Sequence, residues 1–162
     1  MSVLLRLFWD ISLFRKGPQD VPDSQILFLL CLATDVAIST VVGALDGDFV
    51  GAVLQAMAAS GLLLGFVTLI LYLSSHLQRF RKTATAVLGC DALITLGALP
   101  VSLLSEAISG LGLLILGILL WNLLVFAHIL KHALGIGYVL AVALALIFTI
   151  TSLDLMARLF SL

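Results

Sequence analysis

The chain has 162 residues, 62% of them hydrophobic and 10% charged, with a mean hydropathy of +1.27 and a formal net charge of -1. Soluble domains carry about 45–50% apolar and about 25% charged residues, so this composition excludes a soluble globular protein and indicates a chain built for lipid. Near-neutral charge, with no basic stripe interleaved with aromatics, excludes nucleic acid as a partner.

The N-terminal stretch "MSVLLRLFWDISLFRKGPQDVPD" repeats Ser2, Arg6 and Asp10 every four positions, which gives a helix one polar flank opposite Leu, Phe and Trp. That pattern predicts a short amphipathic helix lying at the membrane interface. The segment "GPQDVP" breaks it, and Asp23 or Ser24 caps the first span. Residues 1–23 therefore read as a cytoplasmic interfacial helix and linker, and 24–162 as the membrane domain. With no basic start, no long apolar core and no small-residue cleavage site before Arg15, the segment does not read as a cleaved signal peptide.

A span needs about 20 mostly apolar residues to cross a hydrocarbon core roughly 30 Å thick. Five stretches qualify, at about 24–45, 49–73, 83–107, 110–130 and 136–157. The fold class expected is an all-α membrane protein with five transmembrane helices in one bundle. The connectors "DGD" (46–48), "SSHLQRFRK" (74–82), a turn around "ISG" (108–110) and "KHALG" (131–135) are too short for a soluble domain. Alternating sides places Arg6, Arg15, Lys16, Arg79, Arg81, Lys82 and Lys131 together and leaves Arg158 alone opposite them. By the positive-inside rule the N-terminus is cytoplasmic and the C-terminus outside. A four-span or six-span count would break that partition.

Apolar attraction between helices is weak in lipid, so small residues and buried polar groups must hold a bundle together. The first span draws such a stripe through Cys31, Asp35, Ser39 and Gly43, and the second through Gly61 and Gly65 and through Ala52, Ala56 and Ser60. The third repeats Ala84, Asp91, Ala98 and Ser105 every seven residues, with Thr95 and Ser102 one turn on. Cys31 and Cys90 lie in apolar runs and read as small buried hydrophobes, not as a disulfide framework. Pro100 should free the carbonyl of Leu96 and kink the third span.

At 1.5 Å per residue, Asp35 stands roughly 16 Å and Asp91 roughly 12 Å from the cytoplasmic ends of their spans. A carboxyl at bilayer depth marks a functional site by default. No Lys or Arg lies inside any span to neutralise the two. Two carboxylates close together in low dielectric cannot both stay ionised cheaply, so they read either as a proton-sharing pair or as a cation site. The commoner case in membrane bundles is that each is interhelical glue, bonded to Ser39, Thr95 or a backbone carbonyl. Either way, Asp35 should face the bundle interior near Asp91 or Thr95. Asn122 reads as interhelical glue, Asp154 and Arg158 as a local i,i+4 ion pair, and Asp46, Asp48 and Glu106 as solvated turn residues.

His128 and His132 are four apart, and His76 opens the basic loop on the same side. Imidazoles at that spacing can share a metal, but no HExxH acid or cysteine accompanies them and Lys131 adds positive charge, so they read as interface histidines with no metal. Together with Arg79, Arg81 and Lys82 they form the candidate cytoplasmic contact face. GxSxG, P-loop and GxGxxG motifs are absent from the sequence, and Ser74, Ser75 and Ser105 have no organised base beside them, so neither an enzyme nor a cofactor is expected.

From "FRKTATAVLGCDALITLGALPVSLL" through "GILLWNLLVFAHILKHALGIGYVLAVALAL" the chain resembles the Yip-domain family, membrane proteins named for interacting with Ypt/Rab GTPases. The likeness lies in a short cytoplasmic segment leading into a span that reaches a proline, then a Trp-containing span ending in "AHILKHALG", then a last apolar span. It covers about the last 80 residues, and the first two spans by hydropathy alone. The resemblance implies five spans with termini on opposite sides, and a role as a membrane scaffold. Eukaryotic members carry a longer N-terminal region with acidic and aromatic motifs that this chain lacks. Its compactness resembles the prokaryotic members and implies a bacterial cytoplasmic (inner) membrane. The leading expectation is a non-enzymatic scaffold or accessory protein, with the lipid bilayer and another membrane protein or a second copy as partners. The alternative is a small transporter or a proton or cation pathway using Asp35 and Asp91, which requires a water-accessible cavity reaching both.

Overall fold

A computed structural model describes residues 2–104 and 111–160. The described residues form α1 (Ser2–Ser12), α2 (Gln25–Gly43), α3 (Phe49–Leu73), α4 (Phe80–Leu104), α5 (Leu111–Leu134) and α6 (Tyr138–Phe160), with single 3-10 turns at Pro18–Asp20, Ala44–Asp46 and Leu77–Arg79. Helices α2 to α6 are each long and apolar enough to cross a membrane. The protein is thus an all-α, multi-pass integral membrane protein.

Local chemistry sets the boundaries. The Ser24 hydroxyl accepts from Leu27 N–H at 3.4 Å and caps α2, and Asp48 does the same for α3 through Gly51 N–H at 3.0 Å. Between them the chain reverses through Gly47 at φ 90°, a left-handed conformation that glycine adopts without steric cost. Several boundaries differ by two to four residues from the hydropathy reading, two of them at the basic end for a local reason. Helix α4 begins at Phe80, because the 3-10 turn at Leu77–Arg79 leads directly into it and the Thr83 and Thr85 hydroxyls bond the carbonyls of Arg79 and Arg81. Helix α5 runs on through residues 131–134, so most of "KHALG" is helix, not connector. Lys131 and His132 in its last turn favour the carbonyl end of the helix, and Gly135 at φ 68° ends it with its N–H on the Lys131 carbonyl. Helix α4 continues through Pro100 to Leu104. Ser105, Glu106, the predicted end of that span at 107 and the turn at 108–110 lie outside the described residues.

The spans close into a ring in which α2 packs on α3 and α4, α4 on α5, α5 on α6, and α6 back on α3. Helix α4 is the most enclosed, with every residue from 83 to 90 buried. Part of its cover is α1. The apolar face predicted for that helix is present, and Leu7, Phe8 and Ile11 on it are buried in the common core, while Val3, Leu5 and Trp9 on the other side are exposed. Gly89 makes the seat: a Cβ there would come within 2.5 Å of the Phe8 ring. Beside it the Cys90 thiol donates to the Phe8 carbonyl at 3.6 Å. Counted along α4 this contact is about 14 Å from Phe80, so α1 docks well into the length of the bundle.

Candidate functional site

Residue counts along the helices locate a polar layer. The basic end of the bundle is where Arg79 donates to the Ala133 carbonyl at 3.0 Å and Arg81 pairs with Asp23 at 3.3 Å. Measured from that end, each span places one polar side chain ten to thirteen residues in: Asp35 on α2, Ser60 on α3, Asp91 on α4, Asn122 on α5 and Thr149 on α6. That is about 15–20 Å, near mid-span for all five.

The layer holds two bonded pairs. Asp35 is 2% exposed, and its Oδ2 accepts from the Ser60 hydroxyl at 2.8 Å. Asp91 is half-buried, and its Oδ1 accepts from the Asn122 amide at 2.5 Å. The carboxyls of Asp35 and Asp91 are close enough to interact electrostatically, and both line one cavity. Asp35 Oδ1 is buried and receives no hydrogen bond from any hydroxyl, amide or backbone N–H among the described residues. An ionised carboxylate accepts only, so two facing carboxylates leave each other unsatisfied unless a proton or a cation sits between them.

A cavity of about 290 Å³ reaches both aspartates. Its polar lining is Asp35, Ser39, Ser60, Asp91, Asn122, Thr149 and Ser152, and no Lys, Arg or His belongs to it. On the basic side an aromatic cluster from three helices bounds it: Phe66, Phe126 and Phe148 have ring centroids 4.8–6.1 Å apart. Toward the far end the lining continues through Ser39, Leu119, Ser152 and Leu153.

Of the intramembrane residues that the sequence points to, the structure brings together Asp35, Asp91, Ser39 and Asn122. Thr95 is half-buried outside the cavity lining, and Asp35 takes Ser60 as its donor where the sequence favours Ser39, Thr95 or a backbone carbonyl. Ser60 is legible only as one of a small-residue stripe, and Thr149 and Ser152 carry no signal in hydropathy. Depth counting applied to every span, not to the acids alone, would find them.

The basic-end candidates sort differently. Arg81 is paired with Asp23, and the His76 ring is bonded to the Ser74 carbonyl. The His128 Nε2 lies 3.0 Å from the Lys16 carbonyl, with the Phe14 ring edge-on at 5.2 Å. His132 Nδ1 lies 2.9 Å from the His128 carbonyl, and the two rings are 4.3 Å apart. Among the described residues no three His, Cys, Asp or Glu side chains gather as metal ligands. No protein-family model matches the chain, and neither a curated protein nor a solved structure matches it.

Proposed function

We propose that the protein binds a proton or a small inorganic cation between Asp35 and Asp91 and couples that binding to passage across the membrane, as a small transporter or cation pathway. The observation that carries this reading is the cavity: within a largely apolar lining it reaches both carboxyls, draws at least one polar side chain from each of the five spans and contains no basic residue among the described residues. Interhelical glue alone needs no cavity, and apolar packing around the aspartates would have spoken against transport. The charge partition supports an N-terminus in the cytoplasm. In that orientation the Phe66–Phe126–Phe148 cluster forms the inner barrier, and the cavity extends toward the outside.

The test is flux through the full chain reconstituted in vesicles enclosing a pH-sensitive dye, under imposed proton, sodium and potassium gradients. The expected result is flux above that of protein-free vesicles, reduced at least about tenfold by Asp35→Asn and by Asp91→Asn, both of which keep the hydrogen-bonding shape and elute as the native protein does. Flux equal to protein-free vesicles under all three gradients overturns the proposal.

A second reading, the scaffold that the Yip-domain likeness implies, is favoured by a separate observation. Gly61 and Gly65 are exposed on α3, with nothing within 4 Å of where a Cβ would sit, so this close-approach stripe is unused inside the chain. Crosslinking through Gly61→Cys in native membranes tests it, and a product of monomer mass alone rejects it.

A further inference from the structure

The basic end holds a second cavity, of about 480 Å³, between the 3-10 turn at Pro18–Asp20, the turn leading into α4 and the last turn of α5. Gln19, Gln78, Arg79, Lys82, Thr83 and His132 give it its polar lining, and no carboxylate among the described residues belongs to it. The nearby acids are engaged elsewhere: Asp20 Oδ2 accepts from Gly17 N–H at 3.0 Å, and Asp23 pairs with Arg81. Lys82 has no ion-pair or hydrogen-bond partner among the described residues, so its three ammonium donors are uncommitted. Arg79 gives one N–H to the Ala133 carbonyl, which leaves four donors for a ligand. The start of α4 and the carbonyl end of α5 bring opposite ends of helix dipoles to the same place, so the positive charge of the cavity comes from its side chains.

We propose that this cavity binds a phosphate group. A planar guanidinium beside an uncommitted ammonium, with two amides at the rim, suits a phosphate, whose several oxygens can accept from all of these donors at once. The cavity lies at the ends of the spans, the level of lipid headgroups, and basic pockets between transmembrane helices hold anionic headgroups by this chemistry. An anionic phospholipid presents the phosphate from the bilayer; a free phosphate presents it from water. The site is separate from the aspartate cavity and does not depend on the transport reading.

The experiment uses the full chain in mild detergent with three probes: phosphatidylglycerol, phosphatidylcholine and inorganic phosphate. Native mass spectrometry reads the retained lipid and thermal unfolding reads phosphate. The expected result is preferential retention of phosphatidylglycerol over phosphatidylcholine, weakened about tenfold by Lys82→Gln and by Arg79→Gln and unchanged by Arg6→Gln, which removes an exposed cation outside the cavity and frees no carboxylate. Lys82→Gln is the decisive variant, since Lys82 holds no hydrogen bond or ion pair among the described residues. Stabilisation by inorganic phosphate that Lys82→Gln removes, without lipid preference, assigns the same site to a soluble phosphate. Equal retention of both lipids by the native chain and Lys82→Gln, with no response to phosphate, overturns the proposal.

Discussion

The centre of the bundle and its two ends handle charge in opposite ways. At the ends, acids meet bases: Arg81 with Asp23 at 3.3 Å and Arg158 with Asp154 at 2.9 Å, all four side chains between 43% and 76% exposed. At the centre two carboxyls share a cavity with neutral donors only. Solvent and headgroups stabilise a charge at the ends, so the partner there contributes little. Mid-span, only the protein, a proton or a bound cation can do so, and each hydroxyl or amide aimed at a carboxyl matters in proportion to how little water reaches it.

That comparison orders three substitutions by exposure of the group left behind. The largest effect belongs to Ser60→Ala. The Ser60 hydroxyl donates to Asp35, whose other oxygen, Oδ1, already lacks a donor among the described residues; at 2% exposure, no water readily replaces the lost hydroxyl. Leaving a buried polar group unsatisfied costs about 1–3 kcal/mol, to be read as a fall in denaturant or thermal midpoint in detergent. Asn122→Ala comes second. Asp91 borders the same cavity as Asp35 but is the more exposed of the two, so water more readily takes the amide's place, and the loss should sit near the average for interhelical hydrogen bonds in membranes, about 0.6 kcal/mol. Equal losses for the two variants would break the ranking by exposure.

Much of this arrangement is legible in the sequence. Hydropathy locates five spans, with α3 placed at 49–73 as observed, and the acid at residue 35 is visible to any depth count. The part that is not legible depends on pairing between distant residues. Nothing local to Ser60 distinguishes it from Ala52 and Ala56 on the same stripe; its role exists because α2 packs against α3 and brings Asp35 opposite. The docking of α1 is likewise invisible in its own amphipathic pattern, which fits a lipid surface equally well. It requires a glycine at residue 89, eighty-one positions on, to admit the Phe8 ring. The end of α5 escapes a hydropathy window because Lys131 looks like the start of a loop, whereas a basic residue in the last turn favours the helix terminus.

The smallest effect should come from Arg158→Ala. Arg158 and Asp154 form the shortest of the three ion pairs among the described residues, at 2.9 Å, one helical turn apart on α6 in the favourable acid-first order. Distance alone would rank it first. Its side chains, however, are 76% and 60% exposed, so removing the guanidinium leaves a carboxylate that water or headgroups solvate at once. The expected change in unfolding midpoint is within measurement error, at low and at high salt alike. A loss as large as that of Ser60→Ala would mean that proximity, not desolvation, governs the worth of polar contacts in this bundle, and the contrast between its centre and its ends would fall with it.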